Sequence, residues 1–346
     1  MRAPALLVLG FAVGLSACSD AGPGPGTGEG GNDAAEGAED LRLGRVHVVL
    51  STPELEPGLT AFDGRADGKF DDGSELEPDG FELTARFAMV RGLDEEFVRA
   101  RADMPDLLED LLNPGQCAAE SALWPSELAD QSADAVDSSE LSRELLLVDA
   151  GELEVQLGNA RLEVPLTLVP DLLPYMSGVE YAYFADSPVL PDMDDPETVT
   201  VIAAGGLTDE LPAFTVESPL PAALELTYTA EDVASVAGPN GGALVVRWDA
   251  RPSDNRDGHD PEPAVGLRLT PMLTGEPLGD DIVCLVADRG QTRLDLTELR
   301  TLGFARDADA VRIEASRTRT SLFDAGAWAG TELVVERRDS AELPLR

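Results

Sequence analysis

From Leu41 onward, apolar residues recur at every second position in short segments, and this alternation restricts the fold more than any other feature. Leu83, Ala85, Phe87 and Met89 alternate with Thr84, Arg86 and Ala88, and Leu162, Val164, Leu166 and Leu168 with Glu163, Pro165 and Thr167. The same spacing returns at Leu153–Leu157, Thr198–Val201, Leu224–Tyr228, Val265–Leu269 and Val311–Ala315. Successive side chains on a strand point to opposite faces, so each segment reads as a half-buried antiparallel strand with one face to a core and one to water. Gly and Pro clusters separate the segments. In Pro239-Asn240-Gly241-Gly242, just before Ala243–Trp248, Asn and Gly accept the positive φ of a tight turn. Many short strands at this spacing predict a mainly β chain built of antiparallel β-sandwiches.

Two prolines in Ser218-Pro219-Leu220-Pro221 break the pattern, which predicts two tandem β-sandwich domains, 42–220 and 221–346. Seven predicted strands in the second fit an immunoglobulin-like or fibronectin-like sandwich. Trp248 and Cys284 fall on its second and fourth strands, but the earlier Cys of a true immunoglobulin core is missing. The first domain carries one short helix. Pro105–Leu112 has paired leucines four apart, Pro in the first turn, acids after it and Asn113-Pro114-Gly115 as a stop. With a preceding helical turn near Leu93–Ala102, this predicts a helical insertion over 94–113, lying across an end of the first sandwich. Leu296–Leu302 predicts a second short helix.

The charge removes whole classes of function. The chain's 346 residues hold 66 Asp and Glu against 25 Lys and Arg, a formal net charge of −41. Such a field repels phosphate backbones, which excludes nucleic acid as a main partner. At 43% hydrophobic, the chain is too apolar to be wholly disordered. Ser19–Asp40 is the exception, with seven glycines, six acids and no large apolar residue. It reads as a disordered tether spanning about 26 Å by random-coil scaling.

Residues Met1–Cys18, MRAPALLVLGFAVGLSAC, have one basic residue, an apolar run and a small-residue end, the grammar of a secretory signal over 1–17. The apolar run is too short to span a bilayer. Leu15-Ser16-Ala17-Cys18 resembles a bacterial lipobox. That resemblance implies cleavage before Cys18, acylation of its thiol and amino-terminus, and a lipid bilayer as partner. Ser19 directly after Cys18 resembles outer-membrane sorting, which places the expected protein in the cell envelope, facing either the periplasm or the surface. The body resembles a group of predicted bacterial surface lipoproteins of unknown function through Cys117, Val148-Asp149-Ala150-Gly151, Trp248 and Cys284–Gly290.

With Cys18 acylated, Cys117 and Cys284 form an even pair. In an oxidising compartment they admit a disulfide, the alternative being two buried thiols. His47 sits in a strand pattern and His259 in a polar loop, so neither points to a ligand. The chain contains no HExxH, GxSxG or P-loop, so classical triads and zinc catalysis lack their parts. Asp63, Asp67, Asp71, Asp72 and Glu75 make a candidate weak Ca²⁺ loop, and Asp186, Asp192, Asp194 and Asp195 a second acidic loop. Neither has EF-hand spacing. A glycosidase-like carboxylate pair is the remaining catalytic idea, but sugar sites favour aromatic platforms, and only Trp124, Trp248 and Trp328 are available. The expectation is a non-enzymatic binding or structural module without a cofactor, its protein or glycan partner unspecified. A carboxylate-based hydrolase and an accessory subunit of an envelope assembly are the alternatives.

Overall fold

A computed structural model describes residues 41–51, 80–91, 95–124, 144–173, 176–185, 197–208, 210–228, 242–249 and 264–345. The chain is mainly β. Its strands in chain order are β1 (Leu41–Ser51), β2 (Gly80–Arg91), β3 (Gln116–Ala119), β4 (Glu144–Leu147), β5 (Leu153–Leu157), β6 (Ala160–Val164), β7 (Leu166–Leu173), β8 (Met176–Ala185) and β9 (Thr198–Ala203). They continue with β10 (Phe214–Pro219), β11 (Leu226–Thr227), β12 (Ala243–Trp248), β13 (Ala264–Leu273), β14 (Glu276–Pro277), β15 (Ile282–Ala287), β16 (Gln291–Asp295), β17 (Ala310–Ala325) and β18 (Trp328–Pro344). Four short helices, α1 (Glu95–Arg101), α2 (Leu108–Leu111), α3 (Glu120–Leu123) and α4 (Leu296–Thr301), complete the described elements.

One 11-stranded sheet dominates, in the order β3-β15-β13-β17-β18-β1-β2-β4-β8-β7, with β14 on the side of β13. Sheets of four (β10-β9-β5-β6) and three strands (β11-β12-β16) supply the remaining strands. Buried residues divide between two main cores. The first joins Val46, Val48, Phe81, Leu83 and Phe87 of the large sheet to Leu153, Val155, Val199, Val201 and Phe214 of the four-stranded one. The second joins Leu267, Leu269, Ile282, Cys284, Val311 and Ile313 to Leu244, Val246 and Trp248 of the three-stranded sheet and to Leu296 and Leu299 of α4.

Two separate tandem sandwiches are therefore not the arrangement. Each core has its own covering sheet, but both rest on the same large one. β17 and β18 run 16 and 17 residues as one hairpin, contributing Val311, Ile313, Ala315 and Leu343 to the second core and Ala325, Trp328, Leu333 and Val335 to the first. Nor is all pairing antiparallel. β1 lies parallel to β18, with Val46 opposite Leu333 and Val48 opposite Val335, and β4 lies parallel to β8. The physical reason is economy of edges: the long hairpin would otherwise leave the outer edge of β18 open from Glu332 to Arg338, a row of unpaired N–H and C=O groups.

Within each strand the alternation holds. β9 and β10 bury every second residue, and β17 buries odd-numbered residues from Val311 to Arg317. Val148-Asp149-Ala150-Gly151 wraps buried Tyr181, whose hydroxyl accepts from the Ala150 N–H at 2.9 Å and donates to the Asp149 carboxylate at 2.7 Å. Helix formation departs from the expected emphasis. α1 makes the better-packed helix, burying Val98, with Ala102 and Met104 just beyond it, against Ala88, Val90, Leu145 and Leu147. Pro105–Leu112 yields only the single turn of α2, which has no fully buried residue. Neither helix caps the end of a sandwich. Their segment lies on the outer face of the large sheet, opposite the cores.

Candidate functional site

Residues 95–124 form an arch over that outer face. Its near foot is the apolar cluster under α1, where Leu41 and Leu43 join Val98 and Met104. Asp103 adopts φ 51°, a left-handed turn that Asp tolerates, and so leaves α1 with its carboxylate 2.7 Å from the Arg86 guanidinium. Buried Arg45 then holds the middle: one Nη donates to the Pro105 carbonyl, while Nε donates to Glu332 at 2.6 Å. The arch meets the floor where Leu108 sits over Gly266, since a Cβ there would lie 3.2 Å from Leu108 Cδ2. At the far foot β3 pairs with β15 as the terminal strand of the large sheet, and Cys117 and Cys284, directly opposite in register, are joined by a disulfide. Arg268 adds an ion pair to Glu120 at 2.8 Å.

Between arch and sheet lies a cleft of about 590 Å³, within the ordinary range for small-ligand sites. Outer-face residues of six adjacent strands make the floor, among them Thr84, His47, Glu336, Arg338, Thr318, Ser316, Arg268 and Leu285. Leu107, Glu109, Leu123 and Trp124 line it from the arch. Trp248 and Trp328 are core residues, 4% and 0% exposed, so of the three tryptophans only Trp124 faces this space, with its Nε1–H donated to the Asp106 carbonyl at 3.1 Å.

The floor is an ion-pair network. Glu336 takes a hydrogen bond from His47 at 3.1 Å and an ion pair from Arg338 at 3.2 Å, and Arg338 also reaches Glu314 at 3.4 Å. Burial by itself would raise the Glu336 pKa, but the His47 hydrogen bond and the charges of Arg338 and His47 outweigh it and hold the carboxyl at about 2. Glu109 goes the other way. Burial beside the charges of Asp110 and Glu336 pushes its carboxyl up, and burial likewise raises Glu120 against the opposing pull of Arg268.

The depressed Glu336 pKa makes a stability prediction. The folded state holds the ionised form, so its contribution is complete above the ordinary carboxylate value of 4.5 and is lost as pH falls toward 2. Denaturant titrations between pH 5 and about 2 should therefore show a steeper loss of stability in the parent than in Glu336→Gln. Parallel curves would refute this account.

The sequence-predicted sites distribute unevenly. Cys117 and Cys284 come together. Cys18, the acidic set Asp63, Asp67, Asp71, Asp72 and Glu75, the loop of Asp186 to Asp195, and His259 all lie outside the described residues. His47, read as an ordinary strand residue, stands on the cleft floor. Among the described residues there is no group of three or more His, Cys, Asp or Glu suited to a metal ion, and no helix long and apolar enough to cross a membrane. Arg45, Arg86, Glu336 and Arg338 escaped sequence reasoning because outward polar positions on strands ordinarily face water, and Glu109 and Glu120 because acids in the first turn of a short helix ordinarily do the same. The available signal was the helical insertion itself, which had to lie over some strand face. No protein-family model matches the chain, and no curated protein matches it.

Proposed function

We propose that this protein is an envelope lipoprotein, anchored through acyl chains on Cys18, whose two-core β body acts as a binding module through the cleft beneath the arch. The cleft carries the reading: a space of about 590 Å³, bridged by a segment pinned at both feet, is a preformed site on rigid strands. The anchor rests on Leu15-Ser16-Ala17-Cys18, and two or three acyl chains hold a protein on a bilayer stably where one does not. Ser19 directly after Cys18, which resembles outer-membrane sorting, supports outer-membrane placement. The body's net negative charge leaves attachment to the lipid alone.

Labelled palmitate fed to producing cells should enter the parent and not Cys18→Ala, and the variant should leave the membrane fraction. A variant that still floats with membranes and incorporates label would overturn the anchor. Protease added to intact cells then divides surface from periplasmic exposure.

A second reading, hydrolysis by a carboxylate pair, draws on one observation. Glu109 is pushed up and Glu336 held down within one cleft, the kind of split that separates an acid from a base. Reducing ends released from an oligosaccharide by the parent, but by neither Glu109→Gln nor Glu336→Gln, would establish it. Oligosaccharide recovered intact leaves the binding module.

A further inference from the structure

We infer that the cleft takes a neutral saccharide, with Trp124 as its stacking surface and the hydroxyls and ion pairs of the sheet as its polar floor. This deepens the binding reading and rests on it.

The first support is the state of the cleft's cations. Among the described residues, each of the five arginines that line it is already committed: Arg45 to Glu332, Arg86 to Asp103 and Glu180, Arg99 to Glu95, Arg268 to Glu120, and Arg338 to Glu314 and Glu336. An anionic ligand would have to break these pairs while approaching a chain of net charge −41. Asp103, Asp106, Glu120, Glu314 and Glu336 are engaged with these arginines, so a cationic ligand meets the mirror-image cost at most of the cleft's carboxylates. A neutral polyol meets neither. Paired guanidinium groups keep spare N–H donors and paired carboxylates keep spare lone pairs, so hydroxyl groups can bond to both without separating them.

The second support is independent of charge. Thr84, Thr318 and Ser316, on β2 and β17, line the floor, and their hydroxyls enter none of the hydrogen bonds among the described residues. They are donors and acceptors available to a ligand. Trp124, the tryptophan left out of both cores, offers an aromatic face at the opposite wall, and Leu107 and Leu123 lie on the same side. An apolar, aromatic wall facing a polar floor matches the two surfaces of a pyranose, whose C–H face packs on a ring while its hydroxyls take hydrogen bonds.

The test uses the full-length lipidated protein in detergent, titrated calorimetrically with cellotetraose, maltotetraose and chitotetraose, and with spermidine and a galacturonate oligomer as cationic and anionic probes. The expected result is binding of at least one neutral tetrasaccharide at about 1 mM or tighter, weakened about tenfold or more by Trp124→Ala and by Thr318→Val. Both positions are at least partly exposed, and circular dichroism with an unchanged melting temperature shows that each variant is folded. Failure of all three neutral sugars overturns the inference, as does sugar binding that survives Trp124→Ala. Spermidine or galacturonate binding that depends on Trp124 would also overturn it while leaving the cleft a binding site. Loss of the Cys18 anchor in the labelling experiment strikes the lipoprotein reading instead, so the two failures are separable.

Discussion

A protein carrying Cys117→Ala and Cys284→Ala together is expected to lose about 5 kcal/mol of stability, because the bridge closes a 167-residue loop that the unfolded chain must otherwise explore. The loss should be unevenly felt. β3 has four residues and is the terminal strand of the large sheet, paired on one side only, from Gln116 opposite Leu285 to Ala119 opposite Ile282. Without the covalent link, four residues of edge pairing and the Arg268–Glu120 ion pair are left to hold the far foot of the arch. The near foot keeps its apolar cluster and Arg45. Amide exchange over 116–124 should therefore accelerate before that over α1, and the cleft should lose ligand affinity at temperatures where the cores are intact. A double variant within about 1 kcal/mol of the parent would refute the loop-closure account.

That dependence also explains which parts of the molecule the sequence could announce. Strand faces were legible because burial imposes the alternation directly: Leu83, Ala85 and Phe87 point into the first core, as their spacing requires. Partner choice was not. Leu41–Ser51 and Trp328–Pro344 carry the same kind of pattern as every other strand, and nothing in a period of two says that they lie parallel and join the two halves. The length of β17 and β18 was hidden for the same reason, since polar Arg317 and Asp339 at inward positions look like strand ends until their buried partners are known. The cleft was the least legible part. His47, Glu336 and Arg338 have the composition of a solvated face, and only the arch, more than 200 residues away in the chain from Glu336, half-buries them. Helix propensity misdirected here as well. The leucines near 107–112 outscore Val98 as helix formers, yet tertiary burial favours α1.

Arg317→Met is expected to cost about 3–5 kcal/mol, because it strands a buried carboxylate. Arg317 lies on the inward face of β17 between the residues that serve the two cores, and its side chain is only 6% exposed. Its guanidinium grips Asp288 with two hydrogen bonds of 2.8 and 2.9 Å, and Asp288 is fixed from the other side by the Trp248 Nε1–H at 2.7 Å. The remaining N–H groups donate to the Ala223 carbonyl and, at 2.8 Å, to the Asp249 carbonyl. The segment that leaves the first core's cover sheet at Pro219 is thereby held against the shared hairpin just before it enters the second. Asp339 of β18 helps by accepting the Leu226 N–H. A double-mutant cycle can separate the terms. Arg317→Met with Asp288→Leu removes both charges and should recover part of the loss, while the Ala223 and Asp249 carbonyls and the Trp248 N–H stay unpaired and leave a deficit of about 1–3 kcal/mol or more. Because the hairpin serves both cores, the parent should unfold in one transition, and Arg317→Met should separate it into two as the second core loosens first. A single-variant cost below about 1 kcal/mol, with one sharp transition retained, would mean that the pair is solvent-screened and that the cores are coupled by strand pairing alone.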